Sequence, residues 1–73
     1  MNTSKISTRL RNLMNQYIGK KFDAYFYNQF FYTIKVISTK GDCFILEINS
    51  QLYDVTYKEF IRRIKKNEYR EIN

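Results

Sequence analysis

The sequence predicts a mainly β domain with an N-terminal helix, its antiparallel strands strongly bent into a small barrel. Three observations point there. Apolar residues near the start recur at helical spacing, and the middle of the chain alternates with the period of strands broken at Asn- and Gly-containing turns. The central strands are also apolar on both faces, which a sheet with one wet face would not be. A single domain over 1–73 is expected, with the helix in 1–19, the barrel or sheet in 21–64, and a basic tail or helix end in 65–73.

The helix comes from "STRLRNLMNQYIG". Ile6, Leu10, Leu13, Met14 and Tyr17 share one face, Ser4 or Ser7 can cap the start, and Gly19 supplies a left-handed stop. In "KKFDAYFYN", Phe22, Ala24 and Phe26 alternate with Asp23, Tyr25 and Tyr27, the pattern of a first strand with one buried face. Asn28-Gln29 reads as a tight turn, because Asn tolerates the positive φ of hairpin turns. "FFYTIKVIS" is a second strand and "TKGD" a turn centred on Gly41. In the third strand, "CFILEI", Phe44, Leu46 and Ile48 lie on one face with Cys43 and Ile45 on the other. "NSQ" turns the chain into a short fourth strand, "LYDVTY". Something must cover the second face: the N-terminal helix in part, and closure of the sheet or another subunit for the rest.

"VTYKEFIRRIKK" admits two readings. Thr56 and Glu59 form a capping box, and Tyr57, Phe60, Ile61 and Ile64 fit one face of a helix through residues 56–68. Val55 and Tyr57, then Phe60, Arg62 and Ile64, fit short strands separated by one helical turn at "KEF". The first gives an α-β-β-β-β-α sheet with two helices, the second a barrel.

Composition narrows the chemistry. A chain of 73 residues buries only about 60% of its unfolded surface, so extra stabilisation is needed. With one cysteine and no histidine, neither an internal disulfide nor a zinc-ligand set is available. Seven Tyr and six Phe can supply a dense aromatic core instead, completed by a partner subunit. Neither a membrane span nor a signal peptide is visible, so a cytoplasmic location without membrane association is expected. An enzyme is not expected either. General acid–base catalysis lacks its usual histidine, Cys43 has no basic neighbour in sequence, and Glu47, Asp54 and Glu59 are isolated acids. No metal, cofactor or phosphate-cradling loop is implied.

The charge points to binding. Residues 1–22 carry five cations and no acid, the middle is slightly acidic, and 57–73 are basic again, for a net +6. Basic ends suggest a polyanion, and nucleic acid first. Single strands are held by aromatic faces that stack bases beside cations that neutralise phosphates, so Tyr25, Tyr27, Tyr32, Tyr53 and Tyr57 are stacking candidates. Packing competes with stacking for each of them. Arg62, Arg63, Lys65 and Lys66 form a basic run suited to clamping phosphates.

The order of these elements resembles Hfq and the Sm-like family of RNA-binding ring proteins. Three stretches carry the likeness: Tyr25-Phe26-Tyr27-Asn28-Gln29 at the first hairpin, "FILEI" in the third strand, and Tyr57-Lys58 ahead of an Ile-rich segment. The likeness covers roughly residues 8–64 and implies an Sm-like, SH3-type barrel assembled as a hexamer-like ring on single-stranded RNA. It places Tyr57 and Lys58 near the central pore, Tyr25 and Asn28 on the opposite face, and Arg11, Lys20 and Lys21 near the rim. The chain departs from the family where Gln29 and the Thr33-Ile34 region replace glycines, and where Glu59 replaces the pore histidine. The first change weakens the expected strand curvature and the second a uridine site. The expected function is RNA binding in post-transcriptional regulation or chaperoning. The alternatives are a small phage or mobile-element module docking on a host protein, and a DNA-binding regulator using a C-terminal basic helix.

Overall fold

A computed structural model describes residues 7–72; the expected cap Ser4 and face residue Ile6 lie outside them. In chain order the elements are α1 (Thr8–Asn15), β1 (Lys21–Phe26), β2 (Gln29–Lys40), β3 (Cys43–Ile48), β4 (Gln51–Thr56), α2 (Tyr57–Lys65) and β5 (Tyr69–Ile72). The five strands form one antiparallel sheet in the order β4-β3-β2-β1-β5. The fold is mainly β with an N-terminal helix, as the sequence predicts. The sheet stays open, because β4 and β5 are its two ends and do not pair with each other.

Ser7 caps α1, its Oγ accepting from the Leu10 amide at 3.0 Å. The helix stops at Asn15, and the chain passes through Gly19 at φ +90°, whose amide donates to the Val36 carbonyl at 2.8 Å. Gly19 thus turns the chain into the sheet where a side chain would be strained. Met14 enters the core, whereas Leu13, expected on the same face, is exposed.

Bending comes from β2. Its residues 29–35 pair with β1 and 35–40 pair with β3, so its two halves belong to different ribbons. Phe31 and Ile37 are skipped in these ladders, and each marks a bulge. Bulges kink a strand and increase its twist, so they supply the curvature that the missing glycines leave unaccounted for.

Two hairpins use loops with positive φ at both central residues. These are Tyr27 and Asn28 (54° and 63°), and Asn49 and Ser50 (52° and 67°). The first turn is one residue earlier than Asn28-Gln29, since Gln29 already opens β2. Ser50 pays the left-handed penalty without a glycine's freedom. Ser50→Gly is therefore expected to raise the unfolding free energy by about 0.5–1 kcal/mol in a urea melt.

Residues 56–72 differ from both expectations. Thr56 Oγ1 accepts from the Glu59 amide at 3.1 Å and starts a full helix, not one turn. The helix does not run to 68. Asn67, at φ 64°, ends it in a Schellman arrangement, with Asn67 N donating to Ile64 O at 2.9 Å and Glu68 N to Arg63 O at 2.9 Å. The chain then reverses, and 69–72, expected as tail or helix end, become β5 on the free edge of β1. There Tyr69 stands opposite Ala24, whose small side chain leaves room for the ring.

Both helices serve one core. Met14 and Phe60 are buried with Phe22, Ile34, Val36, Phe44 and Leu46. The outer face, expected to be covered, is bare: Leu52 is 65% exposed, Phe30 55%, and Ile37 is also exposed. Both helices lie on the inner side, where the buried aromatics of β1 and β3, Phe22 and Phe44, join Met14 and Phe60.

Candidate nucleic-acid interface

The basic run identified in the sequence lies on α2, and helical geometry sorts it. Phe60 is fully buried, Ile61 and Ile64 pack partly against the core, and Lys58, Arg62, Lys65 and Lys66 rise on the opposite side as a ridge. Beside this ridge is a shallow depression of about 480 Å³ lined by Tyr57, Lys58, Ile61, Arg62, Lys65 and Lys66. An apolar floor under a row of cations suits a base laid flat with its phosphates outside.

The cations are not equivalent. Arg62 Nη2 binds both Glu59 oxygens, at 2.7 and 2.9 Å. Arg63 binds Glu59 at 3.0 Å and Glu68 at 2.8 Å, with its guanidinium 5.3 Å from the Phe26 ring centre. The Arg62 hydrogen bond, joined by the charges of Arg62 and Arg63, holds the Glu59 carboxyl below its ordinary range. Glu59 thus answers Arg62 and Arg63 instead of completing the capping box. Lys58, Lys65 and Lys66 have no carboxylate partner among the described residues, and they are the cations free to meet a polyanion.

The other predicted residues are distributed over the molecule. Tyr57 opens α2, its amide donating to the Asp42 carbonyl at 2.7 Å and its ring tilted 6.0 Å from Phe44, so it both packs and borders the depression. Lys20 is paired with Glu71 at 2.9 Å. Lys21 stands on β1 between Lys35 and Ile72 of the neighbouring strands. Arg11 is exposed on α1. Tyr25 lies under Arg70, whose guanidinium is 3.9 Å from the ring centre, and Asn28 sits in the hairpin turn. Tyr57, Lys58 and Arg62 line one depression; Tyr25 and Asn28 belong to the hairpin, and Arg11, Lys20 and Lys21 to other elements. Arg70 was not singled out by sequence reasoning, and its position depends on β5.

The hairpin has its own character. Residues 24–34 contain no charge, and Tyr27, Phe30 and Phe31 are exposed there, Tyr27 by 96%.

Cys43 is partly buried, with Sγ 3.6 Å from Asp42 Oδ1. Burial first, then the hydrogen bond and charge of Asp42 and the charge of Asp54, push its thiol pKa up. Less thiolate is present at neutral pH than in a free cysteine, so alkylation by iodoacetamide at pH 7.5 is expected to be slower than that of a model thiol. Equal rates would contradict this environment.

No family model, curated protein or solved structure matches the chain. The resemblance to the Sm-like family therefore rests on the element order and the residues that carry it. Among the described residues, no helix is long and apolar enough to cross a membrane.

Proposed function

We propose that the chain is a single-stranded RNA-binding protein of Sm-like character that assembles with copies of itself, as a hexamer-like ring, to regulate or chaperone transcripts. The observation that carries this reading is the α2 ridge: three lysines without a carboxylate partner among the described residues, beside an apolar and aromatic depression. Cations of this kind release counterions from a phosphate backbone, and the flat surfaces beside them tolerate any base. Assembly is supported by the free edges of β4 and β5 at opposite ends of the sheet. Each carries unpaired backbone groups, and pairing β4 of one copy with β5 of the next is a head-to-tail contact that closes into a ring when the rotation permits.

A second reading, a module that docks on a host protein, is favoured by the uncharged aromatic hairpin. Titration of fluorescently labelled A-rich and U-rich RNA by anisotropy, at several salt concentrations, separates the two. Affinity that falls steeply with salt is expected. No binding at low salt would leave the protein-docking reading. Preference for duplex DNA over both RNAs would favour a DNA-binding regulator.

A further inference from the structure

Across α2 from the lysine depression, Glu59 and Arg63 stand one turn apart and border a second cleft of about 450 Å³. Its floor is apolar, made by Leu46, Ile48 and Val55, and Tyr32, Tyr53 and Tyr69 contribute aromatic walls. The cleft lies between β4 and β5, the two ends of the open sheet, so the failure of the sheet to close is what creates it. The Tyr53 hydroxyl donates to Gln51 at 2.8 Å, while those of Tyr32 and Tyr69 make no hydrogen bond to another side chain among the described residues.

Charge separates this cleft from the ridge. Arg63 is the cation lining it, and two carboxylates already bind that guanidinium. A phosphate gains little there and has better partners in Lys58, Lys65 and Lys66. A flat neutral ring is the better occupant. It can stack on tyrosine faces, rest on the aliphatic floor and present polar edges to two hydroxyls and an arginine–glutamate pair. Arg62 and Lys66 lie on the helix surface between the two depressions, which are separated by no more than a helix diameter of about 10–12 Å.

We infer that this cleft receives one nucleobase of a strand whose phosphates cross the α2 ridge. The inference rests on the RNA-binding reading and adds to it a defined base pocket. The test uses adenosine, guanosine, cytidine and uridine, which carry no phosphate and so cannot be held by the ridge. Methyl NMR of the whole chain would follow Leu46, Ile48 and Val55. At least one nucleoside is expected to shift these signals saturably. The Tyr32→Phe/Tyr69→Phe variant keeps both rings and should weaken that binding by about tenfold, the loss of two modest hydrogen bonds. RNA that binds while no nucleoside moves these methyls would overturn the base pocket and leave the ridge intact. Nucleosides that seat while RNA fails to bind would overturn the strand reading alone. Failure of both would remove both.

Discussion

Replacing Phe60 with alanine is expected to lower the unfolding free energy by about 3–5 kcal/mol, the range for deleting a buried Phe side chain. Phe60 is fully buried, and four rings surround it. Their centres lie 5.6 Å away for Tyr17, 5.3 Å for Phe22, 4.6 Å for Phe44 and 5.4 Å for Tyr69. One side chain thus joins α2 to β1, β3 and β5 and to the segment after α1. A chain of this size holds roughly 4–11 kcal/mol in total, so most of the margin goes with that ring. Urea melts followed by circular dichroism would show the midpoint collapse or the transition disappear. Phe60→Leu should recover part of the loss. Tyr27→Ala, at the exposed hairpin tip, should change stability by no more than about 0.5 kcal/mol. A Phe60→Ala protein as stable as the parent would mean that the aromatic cluster is not the core.

The second large effect is on binding. Lys58→Ala/Lys65→Ala/Lys66→Ala removes the three lysines of the ridge that have no acidic partner among the described residues. If each meets one phosphate, the slope of log affinity against log salt should shrink by about 2, at roughly 0.7 per contact for a single strand. Affinity at low salt should fall with it, while the urea midpoint stays in place because these side chains are exposed. Lys58→Ala/Arg62→Ala should also weaken binding without unfolding the domain, but by less. Arg62 spends much of its charge on Glu59. An unchanged salt slope in the triple variant would place the RNA on another surface.

The sequence predicts the start of α1 well because its signals are local, a serine cap and a three-four repeat, but the helix ends at Asn15, short of the expected stop at Gly19. The alternation in β1 and β3 also holds, with Phe22, Ala24, Phe44 and Leu46 buried. The position of the first turn is not legible, since no propensity would put Tyr27 at positive φ. Nor is β5, which is four residues long, rich in charge and paired with a strand far away in sequence. The two readings of α2 share the same apolar residues, and packing of Phe60 under the sheet decides between them. The bulges at Phe31 and Ile37 shift the inside-outside phase of β2, so its apolar outer face does not imply a cover.

For the candidate site, the basic run of α2 is readable from charge alone. Which cations are compensated is only partly so. The spacing of Glu59 to Arg62 and Arg63, three and four residues on a helix, forecasts those two pairs once the helix is known. Pairing of Arg63 with Glu68 and of Lys20 with Glu71 needs the reversal at Asn67, and with it β5. The tyrosine-lined cleft is illegible in sequence because it exists only where the sheet fails to close.

Sedimentation equilibrium of the purified chain asks whether the free edges of β4 and β5 find each other. One chain weighs 9.0 kDa. A single species several times that mass is expected, and it should dissociate when Leu52→Pro removes a backbone donor that points out from the β4 edge, away from β3. A protein that remains at 9.0 kDa at every concentration tested would contradict assembly through those edges.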